Sequence, residues 1–94
     1  MILVLLSYKV GPDVIAELRA GHRAWLAEGV AAGRLLAAGR KVPVTGGMFM
    51  ARGTLDEVRA WVTTDPFAAA GAADYEFVEI EVTMTAPGLE SLSQ

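Results

Sequence analysis

Apolar residues fill the opening run "ILVLL" (2–6), so both alternating faces are apolar: Ile2, Val4 and Leu6 on one, Leu3 and Leu5 on the other. Such a run fits a central strand covered on both sides. "GPD" (11–13) breaks it, and Pro12 suits a first helical position. From Val14 the period lengthens. Ile15, Leu18, His22, Trp25, Leu26 and Gly29 recur at helical spacing, while Glu17, Arg19, Arg23, Ala24 and Glu28 mostly fall on the other sides. This predicts an amphipathic helix ending near Gly33. "RLLAAG" (34–39) predicts a short strand, "RKVPVTGG" (40–47) a loop with the Gly46-Gly47 pair as turn, and "MFMAR" (48–52) a returning strand. "TLDE" (54–57) has capping-box spacing, so Thr54 opens a second helix whose stripe is Leu55, Val58, Trp61 and Val62. "DPFAAAG" (65–71) reads as a separate helical turn. "DYEFVEIEVTM" (74–84) alternates, with Val78, Ile80, Val82 and Met84 on one face and Phe77, Glu79, Glu81 and Thr83 on the other.

The order strand, helix, strand, strand, helix, strand is the α+β, ferredoxin-like split βαβ pattern (βαββαβ). It predicts one four-stranded antiparallel sheet with both helices on one face, in a single domain over residues 1–85. Residues 86–94 have few apolar anchors and are expected to form a surface tail or a strap on a partner subunit. The other sheet face needs cover, because the first strand is apolar on both sides. Two sheets packed face to face in a homodimer supply it. Composition points the same way: 53% hydrophobic residues is high for a 94-residue chain, which buries a limited share of its surface alone.

Charge and cysteine count narrow the function classes. The chain has no cysteine, which excludes disulfides, thiolate metal sites and a cysteine nucleophile, and is compatible with a cytoplasmic location. Net charge is −3 and the basic residues are scattered, so no nucleic-acid footprint is expected. No apolar run approaches the roughly 20 residues of a membrane span. One histidine is too few for the usual zinc ligand set, and no metal or cofactor is expected.

Two residues carry the candidate chemistry. His22 lies on the apolar stripe of the first helix, where it is either a hydrogen-bonded core residue or a base. Asp65 precedes Pro66 and is a favourable N-cap by local chemistry. A carboxylate has two oxygens, so one can cap while the other accepts from an imidazole. The antiparallel helices of a split βαβ unit permit contact between Asp65 and His22 without forcing it. Arg40 and Ser7 are the candidate substrate-binding residues. Trp25 and Trp61 fall at core spacing, and Glu79 or Glu81 is a lesser candidate for a cleft acid.

The opening strand, "HRAWLAEGVAAGRLLAAG", the "GG" pair, "DPF" and the final "YEFVEIEV" together resemble the YciI-like (YCII-related) family over roughly residues 1–84. The resemblance implies a small dimeric α+β barrel with a His-Asp pair in a cleft near the sheet, which carries over to His22 and Asp65. Arg40 stands where the family often has a proline. For function, the resemblance implies a cofactor-free small-molecule enzyme using the pair for proton transfer or elimination, of lyase or isomerase type. The alternative is a non-catalytic, small-ligand-binding or accessory dimeric module.

Overall fold

The computed structural model describes residues 1–93. Its elements are β1 (Ile2–Tyr8), α1 (Pro12–Ala31), β2 (Leu35–Arg40), β3 (Gly46–Ala51), α2 (Leu55–Val62), α3 (Pro66–Ala69) and β4 (Ala73–Glu79), followed by a 3₁₀ turn, Glu90–Ser93. The strands form one antiparallel sheet in the order β2-β3-β1-β4. This is the expected ferredoxin-like α+β arrangement. Among the described residues no helix is long and apolar enough to cross a membrane.

Helix boundaries follow local chemistry. Pro12 opens α1 at a position where its missing N–H is no loss. Thr54 accepts from the Glu57 backbone N–H at 3.2 Å, while the Glu57 carboxylate accepts from the Thr54 N–H at 3.3 Å. The predicted capping box is therefore present in both directions.

The core lies between the sheet and the helices. β1 turns Ile2, Val4 and Leu6 inward; α1 supplies Ile15 and Trp25, α2 supplies Val58 and Val62, and all are buried. Trp25 stacks on Trp61 with ring centroids 4.0 Å apart, and Phe49 meets both rings edge-on. The tryptophans thus serve packing, as their spacing predicts.

Two expectations need correction. Gly46 and Gly47 belong to β3, and the loop is only residues 41–45. A Cβ at Gly46 would collide with the Leu6 carbonyl oxygen, and one at Gly47 would stand 2.7 Å from the Gly39 carbonyl oxygen. These glycines serve close strand approach rather than a turn. The last strand ends at Glu79 instead of continuing to Met84. Its final rung is the Ile80–Met1 pair, with N···O distances of 2.9 and 3.0 Å. Beyond that rung no strand lies beside residues 81–84 among those described.

Candidate active site

The sheet register sets the floor of the site. Arg40 pairs with Gly47, Gly47 with Leu6, and Leu6 with Tyr75, so these four form one row across all four strands. Directly paired residues share a face, so the row lies on the buried face of Leu6, beneath the helices. Above it, α1 runs past α3. They meet at Gly21, where a Cβ would stand 3.3 Å from the Pro66 ring. A side chain there would push the helices apart. The glycine lets the N-terminus of α3 settle beside the next residue, His22.

Asp65 is the N-cap of α3, and its side chain is fully buried with 0% exposure. Burial of a carboxylate demands donors, and it has them. Oδ1 accepts from the Phe67 N–H at 3.1 Å and from His22 Nδ1 at 2.7 Å; Oδ2 accepts from the Tyr75 hydroxyl at 2.6 Å. Burial, then the hydrogen bond to Asp65 and the nearby carboxylate, pushes the Tyr75 phenol well above its ordinary value. Tyr75 is therefore a fixed O–H donor.

This donor set fixes the imidazole tautomer. Both Asp65 oxygens act as acceptors toward Phe67 and Tyr75, so the hydrogen between Asp65 and His22 belongs to Nδ1. That leaves Nε2 with a free lone pair when the ring is neutral. The ring is held flat on Phe67, with centroids 4.0 Å apart and planes 14° from parallel. The Trp25 ring lies near-parallel to it, with centroids 6.2 Å apart. Trp25 is anchored in turn by its Nε1–H donating to the Thr64 hydroxyl at 2.8 Å.

His22 lines a cavity of about 150 Å³ together with Arg19, Arg23, Leu26, Arg40, Phe49 and Phe67 among others. The imidazole side chain retains 14% exposure, enough for contact with a ligand. Oriented toward Asp65 through one nitrogen and lining a cavity, the ring can exchange a proton with a bound molecule.

The candidates separate clearly. His22, Asp65 and Arg40 come together, the first two in direct contact and Arg40 in the cavity wall. Ser7 is exposed on the opposite sheet face, where its hydroxyl accepts from Lys41 Nζ at 3.0 Å; the structure does not bring it to this cavity. Glu79 and Glu81 are exposed and also lie outside the lining. Among the described residues no cluster of three or more His, Asp or Glu is placed to hold a metal.

Sequence reasoning passed over Tyr75, although its even spacing from Phe77 puts both on one strand face. It also set Arg19 and Arg23 on the far side of α1. In fact Arg19, His22, Arg23 and Leu26 follow i, i+3, i+4, i+7 and line the cavity together.

Comparison with known proteins agrees with this architecture. Residues 1–81 match the model of the YCII-related domain. No curated protein matches the chain. Among solved structures, the fold is similar to that of 5-chloro-2-hydroxyhydroquinone dehydrochlorinase (TftG) from Burkholderia phenoliruptrix AC1100, in complex with 2,5-dihydroxybenzoquinone. The TM-score is 0.63 at 23% identity, with 81% of this chain and 91% of that chain covered. The family match spans most of the described residues, and the chain belongs to the YCII-related domain family.

Proposed function

We propose that this protein is a small-molecule enzyme in which His22 is the general acid/base and Asp65 orients it. The observation that carries the proposal is the buried, three-donor Asp65 carboxylate holding Nδ1 of a histidine that lines a cavity. In the reaction, Nε2 takes a proton from the bound substrate. The freed electron pair forms the new π bond, and the leaving group departs with its own bonding pair. Asp65 stabilises the imidazolium that results, as the aspartate does in hydrolase triads. The step draws only on His22, Asp65 and the substrate. Proton transfer or elimination of lyase or isomerase type fits best, and a dehydrochlorinase with a similar fold makes chlorinated hydroquinones the first substrates to try.

The test is turnover of a panel of chlorinated and hydroxylated hydroquinones beginning with 5-chloro-2-hydroxyhydroquinone, followed by chloride release and absorbance. His22→Gln should lower kcat on the order of 10²–10⁴-fold. Turnover that survives His22→Gln contradicts the proposal.

A second reading has its own support. Asp65 is fully buried and caps α3, which is what a purely structural pair requires. On that reading the protein is a non-catalytic binding or accessory module. It gains if His22→Gln and Asp65→Asn both destabilise strongly while no panel compound shifts the melting temperature.

On either reading we propose a homodimer. The outward sheet face presents Leu3, Leu5, Met48 and Met50 half-buried and Val78 exposed, an apolar patch that a second sheet would cover. A monomer mass at micromolar concentration in analytical ultracentrifugation would refute it.

A further inference from the structure

Three of the chain's eight Lys and Arg side chains, Arg19, Arg23 and Arg40, line the His22 cavity, and no Asp or Glu lines it. This runs against a chain whose net charge is −3. The other five cations are engaged elsewhere. Lys9 pairs with Asp74 at 3.4 Å, and Lys41 donates to Ser7 at 3.0 Å. Arg34 lies 5.8 Å from the Trp61 ring, Arg59 lies 4.7 Å from that of Phe77, and Arg52 has partners of its own. Arg19, Arg23 and Arg40 have no ion-pair partner among the described residues.

Their placement is directional. Arg19 and Arg23 are one helical turn apart on α1 with His22 on the same stripe, and Arg40 faces them from the end of β2. Like charges so close repel one another until an anion sits between them. A guanidinium presents a planar fork suited to two oxygens of one group. The rest of the wall includes Leu26 from α1, Phe49 from β3, Phe67 from α3 and the Tyr8 ring from β1.

We infer that the cavity takes a small organic anion, a flat apolar ring bearing an ionised oxygen group, with the ring against Leu26 and Tyr8 and the oxygens on Arg19, Arg23 and Arg40. The inference deepens the proposed function, because it rests on His22 acting on a ligand in this same cavity. It assigns the substrate class: an acidic aromatic or enolic compound, with the arginines setting which edge of the ring meets Nε2.

The test uses isothermal titration of the full chain with benzoate, salicylate and 2,5-dihydroxybenzoate, each beside its uncharged amide. The expected result is that the acids bind roughly 10-fold or more tightly than the amides, as charge-assisted hydrogen bonds require. Raising salt should weaken only the acids. Arg19→Met, Arg23→Met and Arg40→Met should each bring acid affinity down toward that of the amide, with circular dichroism confirming that each variant is folded. Equal binding of acid and amide, no binding of any acid at millimolar concentration, or unchanged acid affinity in all three variants overturns the inference. His22→Gln separates the two claims. Lost turnover with retained acid binding supports both. Lost turnover where the acids never bound leaves the proton-transfer reading standing and removes this one.

Discussion

Replacing Tyr75 with phenylalanine deletes one hydroxyl and nothing else, and the structure says what that hydroxyl does. It donates to Oδ2 of a carboxylate with 0% exposure. Leaving a buried acceptor short of a donor costs about 1–3 kcal/mol. Asp65 Oδ1 keeps both of its donors, so the lower half of that range is expected. A domain of this size loses about 4–8 °C of melting temperature per kcal/mol. The pH dependence makes the prediction sharper. The folded state holds the Tyr75 proton above the ordinary phenol value of 10.0. Its stabilisation is therefore fully present below about pH 10. Above that the unfolded chain releases the proton while the folded chain keeps it, so stability falls by up to about 1.4 kcal/mol per pH unit. Tyr75→Phe has no such proton. The wild-type advantage should shrink above pH 10 and vanish one to two units higher. Urea melts at half-unit steps from pH 8 to pH 11.5 give both curves. Parallel curves with a constant offset, or equal stability at pH 8, would refute the reasoning.

Asp65→Asn should cost about 1–3 kcal/mol in a urea melt, because an amide has one acceptor where three donors converge. In turnover it should lose on the order of 10³-fold or more, since the amide can turn its NH₂ toward Nδ1 and select the wrong tautomer. Thr54→Ala removes the capping hydroxyl of α2 and should cost about 0.5–2 kcal/mol without touching ligand affinity. Gly29→Ala sets two effects against each other. Alanine favours the helix by about 1 kcal/mol, but its Cβ would stand 2.8 Å from the Trp61 ring, and overpacking costs about 1–3 kcal/mol. Net destabilisation in the urea melt is expected, and a gain would show that the Trp61 ring yields freely.

Much of the fold was legible because its signals are local. The doubly apolar "ILVLL", the Pro12 start, the Thr54 capping box and the Asp65-Pro66 cap each specify a conformation within a few residues. Gly46-Gly47 misled because one residue type serves two needs. Turn freedom and close strand approach look alike until the neighbouring carbonyls of Leu6 and Gly39 are in place. The end of β4 was hidden for a related reason: alternation continues to Met84, but pairing needs a partner, and the last rung among the described residues is Met1 with Ile80.

The site was half legible. His22 and Asp65 stand out as the lone histidine and a cap with a spare oxygen. Tyr75 was missed because its role depends on sheet register, which places it in one row with Leu6 and Gly47. Arg19 and Arg23 were assigned outward because charge usually marks the solvent side of a helix. Here both side chains line the His22 cavity, Arg23 while still exposed.

The central claim is that Asp65 holds His22 as the Nδ1–H tautomer with Nε2 bare toward the cavity. The chain contains one histidine, so ¹⁵N-histidine labelling yields a single, unambiguous pair of ring nitrogens. A long-range ¹H–¹⁵N correlation spectrum of the neutral imidazole distinguishes a protonated ring nitrogen from a bare one. The account predicts a protonated Nδ1 and an unprotonated Nε2, shifting to the other pattern in Asp65→Asn. A protonated Nε2 with a bare Nδ1 in the unmodified protein would contradict it.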